Sequence, residues 1–136
     1  MKYSLTIAAA LTALAAPAFA DGDVATGEKE FRKCKSCHMI ESADEAIVKG
    51  GKTGPNLYGV IGRTAGSVEG FNYGDDLVAA GEAGLVWDVE NLATYIEDPK
   101  AFLQETLDDG AAKSKMTFKL KKNTEDVAAY LATFSE

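Results

Sequence analysis

The chain has 136 residues, a formal net charge of −7, two cysteines and one histidine. That length suits one domain with a modest core. The acidic balance argues against nucleic acid as a partner, because phosphate binding needs a basic face.

Residues 1–20, MKYSLTIAAALTALAAPAFA, join a positive start at Lys2 to an apolar run and the small-x-small sequence Ala18-Phe19-Ala20. This is the pattern of a secretory signal peptide cleaved near Ala20. The apolar run falls short of the roughly 20 residues that span a bilayer. The mature domain is therefore expected to cover residues 21–136, exported and outside the membrane. Loss of Lys2 takes its net charge from −7 to −8.

A first helix is predicted over 23–34, with Val24, Gly27 and Phe31 on one face and Asp23 as cap. At its end stands Cys34-Lys35-Ser36-Cys37-His38, which holds every cysteine and histidine of the chain. A disulfide here would close a tiny loop and stabilise little. A thioredoxin-like pair needs a βαβ setting that the sequence lacks. A zinc site needs a fourth ligand, and no further Cys or His exists. Covalent haem attachment remains, and C-x-x-C-H is its signature. Two thiols one helical turn apart can each add to a haem vinyl group, which carries His38 to the iron as proximal ligand.

Residues 35–87 are glycine-rich and too irregular for repeated β structure. A loop of that length in a compact domain must wrap something. A second helix is predicted over 88–97, where Val89, Leu92, Tyr95 and Ile96 share a face, Asp88 caps and Pro99 stops. A short helical turn restarts at Asp98-Pro99-Lys100. A last helix, about 124–134, places Val127, Tyr130, Leu131 and Phe134 at helical spacing behind Asn123 or Thr124 as cap.

A second axial histidine is impossible, and methionine is the next usual haem ligand. Without the leader only Met39 and Met116 remain. Met39 adjoins His38 and cannot reach the opposite haem face. The alternative for a lone methionine is gap-filling core, but Ser114, Lys115 and Thr117 around Met116 are polar. His38 and Met116 together would fill both axial positions, leaving an iron that only changes oxidation state: a one-electron carrier, not an enzyme.

These residues, together with Gly27-x-x-x-Phe31, TGPNLYGVIGR (53–63), GFNYGD (70–75), Trp87 with YIEDPKAF (95–102), KMTF (115–118) and AYL (129–131), make the chain resemble the class I cytochromes c, in particular the long bacterial c₂ type. The resemblance implies an all-α, monohaem fold in which the first and last helices cross and long loops wrap the haem. It implies that the Pro55 carbonyl accepts from the His38 δ-nitrogen, and that Arg63, Tyr73 and Trp87 hold the propionates. It further implies that Tyr95 and Ser114 donate toward the Met116 sulfur or a nearby water, and that Gly27 and Phe31 pack on Tyr130. Relative to short members, segments 40–52, 75–86 and 103–115 are longer.

The lysines gather near the expected haem edge: Lys33, Lys35, Lys52, Lys100, Lys113, Lys115, Lys119, Lys121 and Lys122. The acids at Glu41, Asp44, Glu45, Asp75, Asp76, Asp108 and Asp109 are expected elsewhere. Such a dipole steers a haem edge toward acidic partners. The expected partners are membrane electron-transfer complexes: a quinol:cytochrome c oxidoreductase as donor, and a reaction centre, terminal oxidase or reductase as acceptor. The encounters would be transient and the carrier a monomer.

Overall fold

The computed structural model describes residues 22–134. The expected signal peptide, its cleavage site and the expected first residue of the mature domain lie outside the described residues.

Helix α1 (Val24–Glu30) starts where Asp23 accepts the Thr26 N–H. It gives way to a 3₁₀ turn, Phe31–Lys33, so the predicted helix ends earlier than residue 34. The tighter i→i+3 bonds, including Cys34 N–H to the Phe31 carbonyl at 2.8 Å, replace the α pattern at this end.

A small antiparallel hairpin follows, β1 (Ile40–Glu41) against β2 (Ala46–Val48). Asn56 fastens it to the next turn. Its Oδ1 accepts the Glu41 N–H at 3.0 Å and its Nδ2 donates to the Glu41 carbonyl at 2.7 Å. The expected unbroken loop over 35–87 is corrected again at α2 (Asp75–Glu82), which the sequence reading passed over. Gly81 explains the concealment, and its contact explains why a glycine stands there. It lowers helix propensity by about 1 kcal/mol relative to alanine, yet a Cβ there would overlap the Ala65 carbonyl oxygen.

Helix α3 (Val89–Glu97) begins with a reciprocal box. Asp88 accepts the Asn91 N–H at 2.7 Å, and Asn91 accepts the Asp88 N–H at 2.8 Å. The short turn expected at Asp98 is a full helix, α4 (Pro99–Thr106), with Asp98 accepting the Ala101 N–H at 3.1 Å. Helix α5 (Thr124–Ala132) follows Asn123, which holds the cap position at φ 60° without a side-chain bond to the helix end.

Helix α1 crosses α5, and α5 also packs on α3, which packs on α4. At the first crossing a Cβ on Gly27 would overlap the Asp126 carbonyl and lie 2.8 Å from the Tyr130 Cβ. Phe31 meets Tyr130 at 5.8 Å between ring centroids. The fold is all-α apart from the hairpin. Among the described residues no helix is long and apolar enough to cross a membrane.

Candidate haem site

One cavity of about 720 Å³ opens between the α1–α3–α5 core and the long loops. Its size lies in the range of about 300–1,000 Å³ usual for cofactor sites. Cys34, Cys37, His38, Pro55, Arg63, Tyr73, Trp87, Tyr95, Ser114 and Met116 all line it. Leu57, Val60, Leu92, Ile96, Val127 and Leu131 supply apolar wall that the sequence reading did not assign to the site.

The first helix delivers the thiols. The Cys37 and His38 N–H groups donate to the Cys34 carbonyl at 3.1 and 3.0 Å, so a tight turn carries the pair and the imidazole together. Burial, the Glu30 carboxylate and Cys37 push the Cys34 thiol up to about 11.

His38 is buried. Its Nδ1 lies 2.9 Å from the Pro55 carbonyl oxygen. A carbonyl only accepts, so Nδ1 carries the proton and Nε2 keeps its lone pair. Burial lowers the His38 pKa and so favours the neutral ring a metal ligand requires, while the Pro55 bond opposes the shift. Gly54 is a site residue to which the sequence reading gave no role of its own. A Cβ there would lie 2.6 Å from Nδ1 and 2.7 Å from Nε2. Only glycine lets the Pro55 turn pass this close to the ring.

Arg63 donates through Nη1 to the Asn56 carbonyl at 2.9 Å and through Nη2 to the Tyr58 carbonyl. Burial lowers its pKa, with Tyr73 opposing the shift. The Tyr73 hydroxyl accepts the Val68 N–H at 3.0 Å. Trp87 is buried, with its ring 4.9 Å from Tyr95 and 5.8 Å from Phe102. Burial raises the Tyr95 phenol, and the Ser114 hydroxyl opposes that shift.

Ser114 differs from expectation in its bond. Its hydroxyl donates to the Met116 backbone carbonyl at 2.8 Å, not to the sulfur, so it shapes the turn that carries the methionine. Met116 is half-buried against the core.

These features suit a haem. The walls are largely apolar, two thiols stand one turn apart, and a neutral imidazole and a soft thioether border the same space. A single helical domain built in this way defines a c-type cytochrome.

The chain is 62% identical to cytochrome c-551 of Roseobacter denitrificans, over 99% of this chain and 97% of that protein. It is also 62% identical to cytochrome c2 of Rhodobacter capsulatus, over 98% of each. The solved structure of that cytochrome c2 matches with a TM-score of 0.81 at 61% identity, covering 82% of this chain and 97% of that one. The cytochrome c2 structure from Paracoccus denitrificans matches at 0.82 and 54% identity, covering 85% and 98%. No protein-family model matches the chain. The chain therefore belongs to the cytochrome c2 family, haem c electron carriers and not enzymes.

Proposed function

We propose that this chain is a periplasmic carrier of single electrons whose haem is anchored by Cys34 and Cys37 and ligated by His38 and Met116. The observation that carries the reading is the meeting at one cavity of the chain's sole histidine and of Met116, with His38 Nδ1 committed to Pro55. The bound haem supplies a reversible one-electron change at iron.

The protein's part is to hold and tune. Pro55 fixes the ring plane and tautomer of His38 and raises its basicity as a ligand. A thioether at Met116 favours the reduced metal and raises the potential. The apolar wall disfavours extra charge and pushes the same way. Arg63, Tyr73 and Trp87 would hold the propionates, and Tyr95 with Ser114 would steady the methionine turn. Denaturing the holoprotein in acid and extracting it with organic solvent should leave the haem on the polypeptide. Haem in the organic phase would refute the two thioether bonds.

Export fits residues 1–20, with cleavage near Ala20. The proposed partners are a quinol:cytochrome c oxidoreductase and a reaction centre or oxidase, each presenting an acidic face to a monomeric carrier. Lys33, Lys52, Lys113 and Lys115 border the cavity, and all are exposed. The lysine ring is thinner than its sequence suggests. Lys33 pairs with Glu30 at 2.8 Å and Lys119 with Asp98 at 3.1 Å.

Steering by the remaining lysines predicts that the association rate with the acceptor falls as salt rises. The Debye length shrinks from about 30 Å at 0.01 M to about 10 Å at 0.1 M, which removes long-range guidance. Lys115→Glu should flatten that slope more than Lys119→Glu, because Lys119 is already paired. Stopped-flow rates across ionic strength check this. Rates that rise with salt would show that the overall negative charge governs the encounter.

A further inference from the structure

The segment from α4 to Met116 is longer than in short cytochromes c and holds neither helix nor strand between Asp108 and Met116. Something outside it must fix its path. Helix α2, in the second lengthened segment of the chain, reaches it directly. Asp76 Oδ2 accepts the Lys113 N–H at 2.7 Å, a bond across 37 positions of sequence. The contact continues on the same side, where Lys115 Nζ donates to the Asn72 carbonyl at 3.3 Å. A Cβ on Gly74 would lie 3.3 Å from the Lys115 Cγ. From α4, Gln104 Nε2 donates to the Gly110 carbonyl at 3.0 Å and more weakly to that of Ala112 at 3.4 Å.

Asp109 also accepts the Ala111 N–H, at 2.9 Å, but from within the segment. Of the bonds that reach the segment's backbone from outside, the Asp76 bond is the one with a charged acceptor, three residues before Met116. Such bonds are shorter and about twice as strong as neutral ones. The helix behind Asp76 is anchored independently of the segment, by Gly81 against the Ala65 carbonyl and by packing on α4. Asp76 thus touches the segment that carries Met116, although it does not itself border the cavity.

We propose that Asp76 is a positioning residue: its carboxylate latches the Met116 segment to α2 and sets how often the methionine leaves the metal. This rests on Met116 being an axial ligand. A purely structural Asp76, favourable in the first turn of α2, would change overall stability and leave the methionine's departure rate alone.

The test adds imidazole to the ferric holoprotein and reads the rate at saturating imidazole, where methionine departure limits entry. Loss of one charge-assisted bond predicts a rate about tenfold higher in Asp76→Ala. Asp76→Asn keeps an acceptor oxygen but not its charge and should fall between wild type and Asp76→Ala. Amide exchange at Lys113 should rise about tenfold in Asp76→Ala, while exchange at Val127, bonded within α5 to the Asn123 carbonyl, stays unchanged. An unchanged plateau rate with unchanged Lys113 exchange overturns the latch. Equal acceleration at Lys113 and Val127 also overturns it, as general loosening. Met116→Ala separates the two ideas: if it takes imidazole as the wild type does, the ligation reading fails, while Lys113 exchange still reports the latch.

Discussion

Met116→Ala is expected to lower the reduction potential by on the order of 0.1 V or more and to let small ligands bind the iron readily. Axial ligands set haem potentials over a range of about 0.8 V, and alanine has nothing to offer a metal. No spare ligand is at hand among the residues bordering the cavity that could restore a thioether, since Met39 lies beside His38 in sequence and is not among them. The fold should survive, because Met116 is half-buried at the cavity and not at the helix crossing. Redox titration with visible spectroscopy checks this. A variant with an unchanged potential and spectrum would remove Met116 from the ligand set.

Gly27→Val is expected to cost roughly 3 kcal/mol or more of stability, toward the upper end for overpacking. The first Cβ already overlaps the Asp126 carbonyl, and the contact is backbone, which cannot rotate away. The neighbouring α1–α5 contacts have little room to yield. Asp126 Oδ1 accepts the Asp23 N–H at 2.7 Å, and Phe31 packs on Tyr130. A domain of this size loses about 2–8 °C in Tm per kcal/mol, so melting should fall by roughly 10 °C or more. Thermal denaturation followed by circular dichroism measures it. A Tm within a degree or two of wild type would show that the two helices can part at little cost.

Helices α1, α3 and α5 were readable because their apolar residues recur at helical spacing behind Asp23, Asp88 and the Asn123–Thr124 pair. Asp98-Pro99 marked the start of α4 but not its length, since its buried contacts, chiefly Pro99 and Leu103, are few and tertiary. Helix α2 was hidden for a related reason. Gly74 at its cap and Gly81 within it read as loop, and only the close approach to Ala65 shows why a glycine serves there. The hairpin at Ile40–Val48 is too short to leave an alternating pattern.

The site was more readable than the loops around it. Its chemistry is concentrated in Cys34-x-x-Cys37-His38, and the scarcity of histidine and methionine narrowed the choice of ligands. The missed residues act by what they touch across long gaps. Gly54 matters because of the His38 ring, and Asp76 because of the Lys113 N–H, and neither contact has a local signature.

The central claim is that both axial positions of the iron are filled by this chain's own side chains. Carbon monoxide added to the reduced wild-type protein at neutral pH tests it most directly. The visible spectrum should not change over minutes, while Met116→Ala should form the carbon monoxide complex at once. Prompt binding by the wild type would mean an open iron and would contradict the account.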